Sequence, residues 1–143
     1  MILLDTNVVS EMMRPIPEPK VVTWLNFQSE LSVWICSVTV AEIYLGIALL
    51  PEGKCKYNFL EIIGKIFSED FCERCLSFDL EAAKEYSRIV SRRKNEGCPI
   101  SVEDAQIAAI AVVNGLILAT RNTKDFENIP NLKLINPWQS DFV

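Results

Sequence analysis

The sequence predicts an α/β domain: a mostly parallel sheet of four to five strands, with helices on both faces. Two observations predict it. Short apolar runs of strand length alternate along the chain with longer segments of helical periodicity. Apolar strands that alternate with helices in this way are buried on both faces, as in parallel sheets. The 143 residues suit one domain, which typically holds roughly 100–200. No repeat, low-complexity tract or Gly/Ser/Pro-rich linker divides them. We therefore expect residues 1–143 to form a single domain, with any disordered tail limited to the last few residues.

The elements follow in order. Ile2 to Leu4 is a short buried strand, ended by Asp5-Thr6-Asn7. Val8 to Met13 is a helical turn or two, closed by the region of Pro15 and Pro17. Glu18 to Phe27 carries Val21, Val22, Trp24 and Leu25 at helical spacing, and both Trp24 and Trp34 are expected in the core. Ser32 to Cys36 is a second strand, with Val33-Trp34-Ile35 as its apolar run. A helix from about Thr39 to Leu50 stops at Pro51-Glu52-Gly53. Tyr57 to Phe67 is another, with Phe59, Leu60, Ile63, Ile66 and Phe67 on one stripe. Cys75 to Phe78 is a short strand. Leu80 to Asn95 is charged and strongly helical, with Gly97 as its stop. Val102 to Asn114 is apolar on nearly every side and should lie deep. Gly115 ends it, and Leu116 to Ala119 is a strand running into Thr120. Leu132 to Ile135 completes the series before Pro137.

Composition narrows the chemistry. The chain has no histidine, which removes Ser–His and Cys–His nucleophilic catalysis, imidazole bases and His-ligated metals. Hydrolytic chemistry must then come from carboxylates, which suit a hard, oxygen-seeking cation. The net charge of −5 opposes broad attraction to nucleic acid, so such a substrate needs a metal and local basic residues. Five cysteines without a secretory signal indicate reduced thiols in a cytoplasmic setting. Cys72-Glu73-Arg74-Cys75 has C-x-x-C spacing, but a zinc ribbon needs a second pair and none exists; small apolar residues near a helix end are the simpler reading. The opening Met1-Ile2-Leu3-Leu4 is interrupted at once by Asp5, unlike a signal peptide. The apolar region from Ala105 to Ala119 is broken by Gln106 and Asn114 and falls short of the roughly 20 residues of a membrane span.

Acidic residues follow the apolar runs. Asp5 ends the first strand, Glu42 sits in the first turn of the helix after the second, and Asp104 opens the buried helix. Asn122 and Asp125 follow the Leu116 strand and Thr120. Parallel strands would bring these positions to one rim, where such sheets bind ligands. Two carboxylates about 4 Å apart repel by roughly 4 kcal/mol at an effective dielectric of 20. A cluster of them takes up protons or collects a divalent ion. Oxygen-only ligands suit Mg²⁺ or Mn²⁺, which can activate water at a phosphodiester singly or as a pair. Capping is the competing reading. Thr39-Val-Ala-Glu42, Ser101-Val-Glu-Asp104 and Asn122-Thr-Lys-Asp125 each fit the box in which an acid bonds back to a helix cap. Asp5 has no helix periodicity to account for it, and its desolvation must be offset.

These residues resemble the PIN-domain ribonucleases, specifically VapC- and FitB-like toxins of bacterial toxin–antitoxin pairs. Met1-Ile-Leu-Leu-Asp-Thr-Asn-Val-Val-Ser-Glu11 is similar to the family's opening strand and first acid. Thr39-Val-Ala-Glu-Ile-Tyr-Leu-Gly46 resembles its second acidic motif, Glu103-Asp104-Ala-Gln-Ile-Ala-Ala-Ile-Ala111 the third, and Ala119-Thr-Arg-Asn-Thr-Lys-Asp-Phe126 the fourth. Ile135-Asn-Pro-Trp138 fits the family's ending. The resemblance spans almost the whole chain and implies a PIN-like domain that cuts RNA endonucleolytically with Mg²⁺ or Mn²⁺. It places Asp5, Glu42 and Asp104 as metal ligands and catalytic acids, with Asp125 as a fourth. Asn122 stands where some FitB-like members carry Asp, so either Asn122 or Asp125 fills the fourth place. The resemblance further implies a homodimer, silenced by a small DNA-binding antitoxin in a larger toxin–antitoxin complex. A basic antitoxin segment plugging an acidic groove suits the charge of −5.

Other residues have two readings each. Thr6 can bond a metal-bound water or phosphate, and Asn7 can orient Asp5, or both can belong to a turn and helix start. Thr120 joins them beside the site. Arg121 and Lys124 are placed to touch RNA phosphate. Arg88, Arg92, Arg93 and Lys94 form either a phosphate-holding patch or a solvated face that complements a helix C-terminus. Gly46 suggests close packing or a dimer contact. Two other functions compete with the nuclease. One is a catalytically silent PIN-like module that binds RNA or protein. The other is a phosphoaspartyl phosphatase or receiver-like domain built on Asp5, although haloacid-type phosphatases want an acid where Asn7 stands.

Overall fold

A computed structural model of the chain describes residues 1–139. The last few residues, where the sequence analysis confines any disordered tail, lie outside them. Among the described residues five parallel strands form one sheet: β1 (Ile2–Leu4), β2 (Val33–Cys36), β3 (Cys75–Leu76), β4 (Ile117–Ala119) and β5 (Lys133–Ile135), in the order β3-β2-β1-β4-β5. Six α-helices among the same residues surround it: α1 (Thr6–Met12), α2 (Pro19–Asn26), α3 (Ser37–Ala48), α4 (Lys54–Lys65), α5 (Leu80–Asn95) and α6 (Val102–Val113). The α/β class and the parallel sheet are as the sequence predicts.

Period-two alternation of short strands splits the core between the two faces. Leu3 pairs in register with Leu118, and both join the cluster built on α5 and α6. Leu4 pairs with Ala119, and both join the opposite cluster with Val8, Val21, Trp24, Ile43 and Ile63. The deep helix is α6, whose Ala105, Ile107, Ala108, Ala109, Ile110 and Ala111 are fully buried. Its small alanines let α5 approach closely while keeping high helix propensity. Trp24 is fully buried, whereas Trp34 is only half-buried.

Helix ends follow local chemistry. Asp79 accepts from the Ala82 N–H at 2.9 Å to start α5, and Pro19 occupies the first turn of α2, where its missing N–H costs nothing. Gly97 (φ +72°) and Gly115 (φ +65°) follow α5 and α6 in the left-handed conformation that ends helices. Several boundaries differ from the sequence expectation, and α1 starts at Thr6 instead of Val8 because Asp5 caps it. Strand β2 passes directly into α3, so the helix starts at Ser37 instead of Thr39. Helix α4 starts at Lys54, directly after Gly53, and finishes in a single π turn over Ile66–Asp70. Strand β3 stops at Leu76, because only Cys75 and Leu76 find partners, in Ile35 and Cys36.

Candidate active site

The strand order places the site. From β1 the sheet extends through β2 and β3 on one side and through β4 and β5 on the other. Such a reversal opens a crevice at the carboxyl ends of the strands flanking it. Asp5 is the first residue after β1, and Thr120 is the first after β4. The Asp5 N–H donates to the Ala119 carbonyl at 2.9 Å, extending the ladder one residue past the strand and fixing the Asp5 backbone.

Asp5 is 5% exposed. Its Oδ1 accepts from the Thr6 N–H at 2.8 Å, and its Oδ2 accepts from the Thr120 hydroxyl at 2.7 Å and the Asn7 amide at 3.3 Å. Asp5 is therefore also the N-cap of α1, a local role that strand periodicity alone does not reveal. Burial drives the Asp5 pKa up to about 6; the Thr120 and Thr6 hydrogen bonds oppose the rise, and the charges of Asp104 and Glu42 add to it.

Glu42 stands in the second turn of α3, a correction to the first-turn expectation, because the helix begins at Ser37. Cys36 is the cap residue, so Thr39 caps nothing. Thr39 is buried instead, its hydroxyl 3.2 Å from that of Thr6. The Thr6 hydroxyl donates to Glu42 Oε1 at 2.7 Å, joining α1 to α3. Burial raises the Glu42 pKa, Thr6 lowers it, and Asp104 and Glu103 raise it further. Asp104 does occupy a capping sequence: Ser101 starts α6 by accepting the Asp104 N–H at 3.2 Å. Burial also raises the Asp104 pKa, and Asp125 and Glu103 add to the rise.

Asp5, Glu42 and Asp104 line one open groove of about 470 Å³ with Thr6, Asn7, Arg121 and Asn122. Thr120 lies buried beneath it, accepting from Asn7 at 3.3 Å and from the Asn122 N–H at 3.1 Å. Asn7 Oδ1 in turn accepts the Arg121 N–H at 3.3 Å, so Asn7 orients Asp5 and ties it to the loop after β4. Asp125 is exposed and lines an adjoining depression of about 330 Å³ with Arg121, Asn122 and Lys124. Asn122 precedes the 3₁₀ turn Thr123–Phe126 without bonding it through its side chain, so that third capping box is not formed.

The groove has further walls that the sequence analysis does not assign to the site: Ser10, Glu11, Arg14 and Trp138. The signal for one of them was available, since Asn7 and Glu11 stand at i and i+4 on one face of α1. Glu11 is buried, and both its oxygens accept from Arg14 Nη1, at 3.0 and 3.1 Å. The proposed basic patch near the end of α5 takes another form. Arg88 pairs with Glu85 and Arg92 with Glu96, while Arg93 is buried and donates to the carbonyls of Cys98, Glu127 and Asp125. Gly46 packs closely against nothing within the chain, since a Cβ there would meet open space among the described residues. No described helix is long and apolar enough to cross a membrane.

The donor chemistry fits a hard cation. Every candidate ligand is an oxygen, and three carboxyls in one groove have raised pKa values, so added positive charge would relieve their desolvation and mutual repulsion. Among the described residues no three acidic or thiol side chains form a ready-made cage. Mg²⁺ needs none, because it keeps several waters and binds through one or two carboxylates and substrate phosphates.

Comparison with known proteins agrees with this architecture. The PIN domain family model matches residues 2–132. Toxin FitB of Neisseria gonorrhoeae is 41% identical over 138 residues, covering 96% of this chain and 99% of its own. VapC ribonuclease Y4jK of Sinorhizobium fredii is 37% identical over 139 residues, covering 97% and 99%. The solved structure of FitAB bound to an IR36 DNA fragment contains a chain 39% identical to this one, with a TM-score of 0.90 over 99% of both. The chain belongs to the PIN-domain family, with VapC- and FitB-type proteins as its relatives.

Proposed function

We propose that this protein is the toxin of a toxin–antitoxin pair, a Mg²⁺-dependent endoribonuclease that also accepts Mn²⁺. The observation that carries the reading is the groove in which Asp5, Glu42 and Asp104 meet with raised pKa values. A bound ion supplies Lewis-acid stabilisation of phosphoryl oxygens and a more acidic water. Asp5, held by Thr6, Thr120 and Asn7, would anchor that ion, with Asp104 and Glu42 adding negative charge in the same groove. Glu42 is half-buried and oriented by Thr6, so it is suited to take the proton from a water attacking phosphorus. Asp125 acts on the pocket through its charge on Asp104. Arg121 faces the substrate from the rim.

The relatives support the biological setting. Their names are those of a toxin and a ribonuclease, and one neighbour is FitAB bound to DNA. By extension this chain pairs with a small DNA-binding antitoxin. Exposed Tyr44 and Leu45 on α3, Leu49 at its C-cap and Tyr57 on α4 offer apolar surface for that partner or for a second copy in a homodimer. Five free thiols suit a reducing cytoplasm.

The test is direct. Purified protein should cut single-stranded RNA with Mg²⁺ or Mn²⁺ and stop on addition of EDTA. Asp5→Asn should lose at least about 100-fold in rate, the scale of one lost acid–base or electrostatic group, with an unchanged circular dichroism spectrum. A folded protein that binds RNA but never cuts it would support the silent module instead.

A further inference from the structure

Arg121 is presented to the groove in a particular way. Its guanidinium sits over the Trp138 ring, 5.2 Å from the centroid, and it forms no ion pair among the described residues although acids line the groove. Its backbone is tied at both ends, the N–H to Asn7 Oδ1 at 3.3 Å and the carbonyl to the Asn136 amide at 3.4 Å. Asn136 Oδ1 also accepts the Trp138 N–H at 2.9 Å, and the intervening Pro137 is buried with its φ locked. Trp138 itself packs on the core cluster beneath β1 and β2. Arg14, the other cation lining the groove, is already committed to Glu11. Arg121 and Asn122 also line the neighbouring depression that contains Lys124, so Arg121 stands where the two hollows meet.

From this geometry we propose that the RNA strand leaves the acidic groove over Arg121, whose guanidinium Trp138 holds flat as a phosphate-binding platform, and runs on toward Lys124. The inference rests on the ribonuclease reading. Arg121 is the substrate-binding residue, and Trp138 is a positioning residue acting through it. A guanidinium stacked on indole keeps its N–H edges free for a phosphate while losing little further rotamer entropy on binding. The platform also gives a net acidic protein a local cation where polyanionic substrate must pass.

The test uses the full chain carrying Asp5→Asn, with Mg²⁺ present, and a labelled single-stranded oligoribonucleotide titrated at several salt concentrations. Arg121→Gln should weaken binding about tenfold and reduce the slope of log K against log salt by about 0.7, the value for one phosphate contact on a single strand. Trp138→Leu should reproduce most of that loss and be nearly non-additive with Arg121→Gln, whereas Trp138→Phe, which keeps an aromatic face, should restore binding. Lys124→Gln should lower the slope separately. In the otherwise native chain, Arg121→Gln should raise KM far more than it lowers kcat. An unchanged salt slope in Arg121→Gln, or equal damage from the Phe and Leu replacements at Trp138, would overturn the platform. Cleavage by the native chain together with an unchanged slope rejects the platform alone. Binding with the expected pattern but no cleavage rejects the nuclease reading alone, and neither binding nor cleavage rejects both.

Discussion

Asp5 is where stability and function oppose each other. Its pKa rises from 3.8 to about 6 on folding, with burial as the leading cause. A carboxyl whose folded pKa is raised contributes stability below the unfolded value and loses it as pH climbs through the folded one. Ionised Asp5 therefore costs roughly 3 kcal/mol above pH 6 at 1.36 kcal/mol per unit, while below pH 4 it costs nothing. Asp5→Asn should consequently raise the urea midpoint at pH 7.5 in metal-free buffer and leave it nearly unchanged at pH 4. The gain will fall short of the full amount, because an Asn side chain cannot accept from Thr6, Thr120 and Asn7 together. A midpoint at pH 7.5 lower than that of the native chain would refute the burial argument. The same titration sets the acid limb of RNA cleavage near pH 6 at low Mg²⁺. Raising Mg²⁺ should move that limb to lower pH, since an ion that prefers the carboxylate competes with its proton.

Elements were legible wherever local chemistry and burial agree. The strand Ile2–Leu4 and the helix Leu80–Asn95 lie at the expected residues, because an apolar run closed by Asp5 and a charged helix stopped before Gly97 leave little choice. The start of α3 was obscured because Thr39 looks like a cap, yet the chain turns helical at Ser37 and buries Thr39 against Thr6. That single shift moves Glu42 from a capping position to one whose carboxylate accepts a tertiary hydrogen bond, from Thr6. Arg93 was illegible for a different reason. Its neighbours Arg92 and Lys94 mark a solvated helix end, and nothing local shows that its own side chain turns inward to three carbonyls, those of Glu127 and Asp125 distant in sequence. Those bonds tie α5 to the loop carrying Asp125. Arg93→Met should therefore cost about 3 kcal/mol in urea unfolding, with three carbonyls left short of a donor. Arg93→Lys should recover little, since one ammonium lacks the planar fork that reaches all three. A loss under 1 kcal/mol for the Met variant would show that water replaces the guanidinium without penalty.

At the scale of the molecule, strand order explains why acids so far apart in sequence converge. Asp5 and Thr120 end the strands on either side of the reversal, and the helices that begin after β2 and before β4 bring Glu42 and Asp104 to the same rim. The sequence shows that acids follow apolar runs, but it does not show which strand is central, and so it leaves Arg14 and Trp138 out of the groove. A groove assembled from separate segments exists only in the folded chain, so any ion it binds must stabilise the fold by mass action. At 100 times its dissociation constant, Mg²⁺ should add about 2.7 kcal/mol, a rise of roughly 5–15 °C in Tm for a domain of this size. EDTA should reverse the rise. The shift should shrink at pH 5, where Asp5 is largely protonated before the ion binds, and should nearly vanish in Asp5→Asn. An equal Mg²⁺ shift in native and Asp5→Asn chains would place the ion elsewhere, and with it the chemistry assigned to this groove.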